Sequence, residues 1–190
     1  MRANNRHNSG LDSGRVTGQE VDFRAYCRDV VDFPKKGIVF RDITNLLKNG
    51  PVFKSAIDTI AMHYQFTNID SIISIEARGF IIGSALAYRL GCGLVPVRKQ
   101  GKLPWKVYRQ SYDLEYGQDH IEVHQDAIEP GQNVLIVDDL IATGGTVEAV
   151  AKLIKEMKGN IIGAAFLIEL TELKGKEKIK DIPVFSLIKY

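Results

Sequence analysis

Residues 134–150 read VLIVDDLIATGGTVEAV, and the remainder of the chain is organised around them. Val134, Leu135, Ile136 and Val137 are an unbroken run of branched apolar residues, too short for a helix and without alternation. Such a run predicts a strand buried on both faces of a parallel sheet, and its place is expected at the sheet's centre. Asp138 and Asp139 follow at once, then Ala142, Thr143, Gly144, Gly145 and Thr146, then apolar residues at 147, 150, 151, 154 and 157. That last spacing is one face of a helix, closed by Gly159.

The order is therefore buried strand, acid pair, glycine loop, helix start. Glycines let backbone N–H groups approach an anion and a helix N-terminus adds unpaired donors, so a phosphate is expected at residues 142–146. Carboxylates beside a phosphate repel it unless they face hydroxyls or a cation. A ribose diol with a divalent metal meets both conditions. A Walker A loop needs a Lys before its Ser/Thr, and a dinucleotide fingerprint needs three spaced glycines with the acid downstream; neither pattern is present. A plain βα turn, with Thr143 as helix cap and two solvated acids, accounts for the parts but not for their order.

The 190 residues fit a single domain with an ample core. Lys and Arg total 25 against 23 Asp and Glu, so no global field points to nucleic acid or a membrane surface. Cys27 and Cys92 are far apart and lack metal-ligand spacing, which favours packing roles over a disulfide or zinc site. No apolar stretch approaches membrane-span length, and a cytoplasmic location is the expectation. Residues 1–18 are polar and almost free of large apolar groups, and read as a mobile tail ahead of one domain over 19–190.

Along the chain, apolar residues at 21, 23, 26, 27, 30 and 31 predict a helix over 19–33, ended by Pro34 and Gly37. Arg41 and Asp42 read as a surface ion pair. A second helix starts near Pro51, with Phe53, Ile57, Ile60, Ala61 and Tyr64 on its core side. Residues 72–75 are another buried strand, followed by Glu76, Ala77, Arg78, Gly79 and a helix to Leu90. Arg78 at a strand's carboxyl end suits a phosphate through its guanidinium fork, although pairing with Glu76 is the plainer reading of the tetrapeptide alone. A third strand, 94–97, runs into the basic stretch Arg98, Lys99, Gln100, Gly101, Lys102, which has the charge of a lid over a polyanion. His120, Glu122 and His124 alternate as on a half-exposed strand and lack the further ligands a metal site needs. Residues 161–170 and 183–188 are late strands, and 173–180 a charged surface loop. Alternation of strands and helices predicts an α/β fold with a parallel sheet.

VDDLIATGGT resembles the phosphoribosyl pyrophosphate (PRPP) signature of the type I phosphoribosyltransferases. Three further stretches are similar to those family members that act on adenine: DFPKKGIVFRDI from Asp32, RKQGKLP from Arg98 and SYDLEYG from Ser111. The resemblance covers residues 32–190. It implies a central, mostly parallel sheet flanked by helices, a small hood built from about 32–48 and 168–190, and a flexible catalytic loop. It also implies transfer of a phosphoribosyl group from PRPP to adenine, giving AMP and pyrophosphate, with Mg²⁺ carried mainly on PRPP or pyrophosphate rather than in a protein metal site.

Residue by residue, the resemblance implies that Asp138 and Asp139 hold the ribose hydroxyls and that Ala142, Thr143, Gly144, Gly145 and Thr146 anchor the 5′-phosphate. Ala77, Arg78, Arg98, Lys99 and Lys102 meet the pyrophosphate, Tyr116 contacts PRPP, and Glu115 handles the proton chemistry of the purine. Val39 and Arg41 offer backbone groups to adenine, Phe40 lies against its ring, and Leu170 lines its pocket. Trp105 departs from the family pattern, which often has a small residue after Leu-Pro. A homodimer is implied, with no nucleic-acid or membrane partner. Rival readings are a phosphoribosyltransferase for hypoxanthine and guanine, xanthine or orotate, and a PRPP-binding regulator without catalysis.

Overall fold

The computed structural model describes residues 21–114 and 117–190. Among these described residues, nine strands and four α-helices are arranged in chain order as β1 (Arg28–Val31), β2 (Val39–Asp42), α1 (Thr44–Lys48), α2 (Gly50–His63), β3 (Ser71–Ile75), α3 (Gly79–Leu90) and β4 (Gly93–Lys99). Then come β5 (Val107–Leu114), β6 (Gly117–His124), β7 (Asn133–Ile141), α4 (Gly145–Glu156), β8 (Asn160–Glu169) and β9 (Val184–Lys189). Seven strands form one sheet in the order β5-β6-β4-β3-β7-β8-β9, parallel from β4 to β9 and antiparallel at the β5-β6 edge. β7 is the middle of the five parallel strands, as its apolar run predicts.

Both faces of β7 are covered, which is why its sequence does not alternate. Val134, Leu135, Ile136 and Val137 are wholly buried. Val134 and Ile136 pack with Val147, Val150 and Ile154 of α4 on one face; Leu135 and Val137 pack with Ile57 and Ile60 of α2 and Ile82 and Leu86 of α3 on the other. α2 is capped by the Asn49 carboxamide accepting from Val52 N at 3.3 Å, and it buries Val52, Ala56, Ile57, Ile60 and Ala61. Phe166 of β8, fully buried, fills the α4 face.

The strand order reverses between β3 and β7: the chain leaves β3 towards β4 on one side and returns as β7 on the other. Loops at the carboxyl ends of such strands diverge and leave a crevice. The turns after β3 and after β7 therefore face each other across it.

The helix expected over 19–33 is not what forms among the described residues. A 3-10 turn at Phe23–Tyr26 is followed by β1, which pairs antiparallel with β2 from Arg28↔Asp42 to Val31↔Val39. The apolar spacing suits both structures, and the deciding factor is non-local: the β2 backbone satisfies the β1 N–H and C=O groups, while Val31 stays 70% exposed instead of seeking a core. Arg41 and Asp42 do not pair with each other but across this hairpin, with Asp29 and Arg28 respectively. The segment 173–180 also differs from a solvated loop: it contains a 3-10 turn, Gly175–Ile179, whose first and last residues are buried. At the end of α4 the left-handed residue is Lys158, φ 62°, while Gly159 is placed where a Cβ would meet Ile154 Cγ2 at 2.9 Å.

Among the described residues, no helix is long and apolar enough to cross a membrane. Replacing Phe166 with Ala should lower the unfolding free energy by about 3–5 kcal/mol, read from the denaturant midpoint; a loss under about 1 kcal/mol contradicts this account of the core.

Candidate active site

The glycine loop is shaped by two close backbone approaches. Gly144 has φ 79°, and a Cβ there would stand 2.3 Å from the Gly175 carbonyl oxygen; a Cβ on Gly175 would stand 2.3 Å from that of Ala142. The 3-10 turn after β8 thus presses on the loop after β7, and only glycine fits on either side. α4 begins at Gly145 with no side-chain cap, so Thr143 is not the cap and the first-turn N–H groups stay open towards the cleft. Arg78, Asp138, Asp139 and residues 140–147 line this cleft, of about 250 Å³.

The acid pair forms its floor. Asp138 Oδ1 accepts from Asp139 N at 2.8 Å, and Gly79 of α3 lies so close that a Cβ would be 2.6 Å from that oxygen. Asp139 is buried, and its Oδ2 lies 2.8 Å from Arg78 Nη2 without accepting a hydrogen bond of good geometry. Burial raises the Asp138 carboxyl well above its ordinary 3.8, and the neighbouring Asp139 charge adds to this. Burial also raises Asp139, where the Arg78 guanidinium pulls the other way. The pair favours retaining a proton, and a ligand offering hydroxyls or a cation removes that preference.

Arg78 connects three parts of the site. Besides Asp139, its guanidinium lies 4.6 Å from the centre of the Phe40 ring, so β2 is brought over the crevice. Phe33 meets the same ring edge-on at 5.2 Å. Leu170 stands at the other side, its N–H donating to Ile141 O at 3.0 Å. Arg41 stacks on the Tyr190 ring at 4.0 Å and Arg24 on it at 4.2 Å, so the N-terminal hairpin and the end of the chain are clamped together. Phe40 is thus tied to the acid pair through Arg78, its β2 neighbour Arg41 is held on Tyr190, and Leu170 is hydrogen-bonded to the end of the strand that carries the acids.

The basic stretch that starts at the end of β4 gathers around a further acid, Glu76, which takes partners other than the Arg78 expected for it. Glu76, at the end of β3, accepts from Lys102 Nζ at 2.8 Å, Arg98 Nε at 2.9 Å and Lys99 N at 3.0 Å. Burial works to raise its carboxyl, but Lys102, the Lys99 amide and Arg98 outweigh it and leave the group below its ordinary value. Arg78 therefore does not pair with Glu76. Lys99 Nζ meets Asp119 at 2.9 Å, which holds that carboxyl low and the ammonium high despite some opposing burial. Glu122 is not half-exposed but 2% exposed, accepting from Gly101 N and from Arg109 Nε, each at 2.9 Å. Trp105 packs edge-on to His124 at 6.3 Å, tying the far end of the stretch to β6. Glu115 and Tyr116 lie outside the described residues.

The topology thus brings Ala77, Arg78, Arg98, Lys99 and Lys102 to one side of the acid pair and the glycine loop to the other. The roles of Glu76, Gly79 and Gly175 were missed because their work is tertiary; the local hint was Glu76 standing two residues before Arg78. A parallel sheet with an acid pair and an open helix N-terminus side by side at its switch point is an arrangement suited to a phosphorylated sugar.

Comparison with known proteins agrees. Residues 42–190 match the phosphoribosyl transferase domain. An adenine phosphoribosyltransferase of Acidobacterium capsulatum is 56% identical over 167 residues, 88% of this chain and 92% of the relative. The crystal structure of the enzyme of that name from Thermoanaerobacter pseudethanolicus superposes with a TM-score of 0.87 at 48% identity, covering 88% of this chain and 98% of its own. That from Saccharomyces cerevisiae, solved with an imino-altritol bisphosphate and adenine, gives 0.84 at 40% identity over 87% and 96%. The chain belongs to the adenine phosphoribosyltransferase family.

Gly144→Ala should destabilise the fold by about 1–3 kcal/mol through left-handed strain and the clash with Gly175, and should weaken phosphate binding; an unchanged melting temperature contradicts the loop geometry. The acid pair carries a pH signature. A carboxyl raised in the folded state binds its proton more tightly there than in the unfolded chain, so stability falls as pH rises through the window between the two pKa values. Asp138→Asn should accordingly raise the melting temperature at pH about 7, with the gain shrinking towards pH about 4. A gain that grows on acidification contradicts the assignment.

Proposed function

We propose that this chain transfers the 5-phosphoribosyl group of PRPP to N9 of adenine, forming AMP and releasing pyrophosphate. The observation that carries the reading is the Arg78 guanidinium set between the Phe40 ring and Asp139, which links a flat aromatic pocket to the acid pair and its anion cradle. A nucleobase, a ribose and a 5′-phosphate then fit in that order from hood to helix.

In this mechanism N–H groups of residues 142–146 bind the 5′-phosphate, and Asp138 and Asp139 accept from the ribose hydroxyls. Holding the sugar by both ends fixes C1′ between the base and the leaving group. The C1′–oxygen bond breaks ahead of full bonding to N9, its electron pair goes to pyrophosphate, and the sugar passes through a cationic state that the acid pair favours. Arg78, Arg98, Lys99 and Lys102 balance the charge growing on pyrophosphate. N9 bonds to C1′ as its proton is given up, with Glu115 the group assigned to hold it. Mg²⁺, when bound, would add neutralisation of the pyrophosphate oxygens; it would be held mainly by the substrate's own phosphates, with the carboxylates of Asp138 and Asp139 facing the ribose end of the same substrate.

The reading takes 19–190 as one domain after a tail over 1–18. The hood consists of 32–48 and 168–190, joined through the Tyr190 clamp, and extends back to Arg24. A homodimer is supported by the outer side of α3 and β4, where Ile81, Tyr88 and Leu94 are 45%, 92% and 41% exposed. Leu94 alternates with the buried Val95 and so lies on the sheet face that α3 covers.

Incubation with adenine, PRPP and Mg²⁺ should yield AMP and pyrophosphate; absence of AMP, or faster use of hypoxanthine, contradicts the proposal. Asp139→Asn should raise the KM for PRPP, whereas Glu115→Gln should lower kcat by about 10²–10⁴-fold with little change in that KM. Equal, small effects of the two changes on both constants would overturn the roles assigned.

A further inference from the structure

β3 and β4 run in register as far as Ile75↔Val97, and Glu76 N donates to Val97 O at 3.0 Å, extending the pairing by one step. The next residue on each strand is therefore set side by side: Glu76 on one, Arg98 and Lys99 on the other. The Glu76 side chain is only 5% exposed, yet three donors of the basic stretch converge on it. Arg98 reinforces the arrangement by donating from Nη1 to Lys102 O at 3.3 Å.

The other cations assigned to pyrophosphate are matched in the same way, Lys99 by Asp119 and Arg78 by Asp139. Each positive group that would grip the leaving group already has a carboxylate of the chain itself. Four unmatched cations around a crevice would bind pyrophosphate tightly enough to delay its departure. A buried, fixed negative charge between two of them lowers the local potential without removing them.

We infer that Glu76 is an internal counter-anion, a positioning residue that competes with pyrophosphate for Arg98 and Lys102 and so limits how tightly the product is held. The inference rests on the assignment of those two side chains to pyrophosphate. Glu76 holds each through a single donor; with Arg98 Nη1 turned to Lys102 O, the outer Nη2 of Arg98 and the other ammonium N–H groups of Lys102 are the ones offered to phosphate oxygens. Product release thereby becomes an exchange of anions on fixed cations, not a separation of bare charges.

The test is product inhibition by inorganic pyrophosphate in Glu76→Gln, with Lys102→Ala beside it. Glu76→Gln keeps the volume and removes the charge, and the inhibition constant for pyrophosphate should fall by roughly three- to tenfold, the partial exposure of Lys102 keeping the effect modest. kcat should fall with it as release slows, while the KM for adenine stays put. A merely structural role would instead weaken pyrophosphate and PRPP alike, and an inhibition constant that rises or does not change overturns the inference. If Glu76→Gln does not fold, Glu76→Asp, too short to reach both cations, should shift the constant in the same direction by a smaller factor; no shift counts against the inference equally. Lys102→Ala should raise the constant. If it does not, the assignment of the basic stretch fails first; if it does while Glu76→Gln has no effect, only the role of Glu76 falls.

Discussion

The contact between Arg78 and Asp139 is what makes two loops into one site. The turn after β3 and the turn after β7 belong to adjacent strands, but neither alone encloses anything. A guanidinium reaching 2.8 Å from a buried carboxylate fixes their separation, and its other face carries the Phe40 ring and with it the N-terminal hairpin. The regions proposed for sugar, base and leaving group are in this sense positioned by one side chain. The surrounding core supports it: β7 cannot shift while Val134–Val137 are packed on both faces.

The same geometry is costly. Two adjacent carboxylates at the cleft floor disfavour each other's ionisation, and Gly79 and Gly144 occupy positions where other residues would clash. Buried Glu122 is met by a full set of donors, whereas Asp139 at the cleft, like Glu169 beside Lys176, keeps an oxygen that accepts no good hydrogen bond. An imperfectly satisfied group at the one place where a ligand is expected is the usual sign that stability has been exchanged for function.

How much could be read from the sequence depended on how local each feature is. The run 134–150 specified strand, acids, loop and helix because all four lie within one βα unit, and the structure preserves that order from β7 to α4. The segment 19–33 misled because its apolar spacing serves a helix or a turn and strand equally, and the choice was made by β2, distant in sequence. Glu76 was visible as a residue and invisible as a hub, since its three partners are supplied by the β3-β4 register. Gly175 looked like loop composition until its approach to Gly144 gave it a reason. The net charge of +2 likewise hid a crevice in which cations and carboxylates alternate.

The central claim is spatial: a ribose held by Asp138 and Asp139, with its phosphate on the first turn of α4. It is tested most directly by a crystal structure with AMP and pyrophosphate bound. The account predicts the ribose hydroxyls within hydrogen-bond distance of both carboxylates, the 5′-phosphate on the N–H groups of residues 142–146, and the adenine ring between Phe40 and Leu170. A nucleotide bound in the reverse direction, or with its phosphate on the Arg98–Lys102 side, would contradict it.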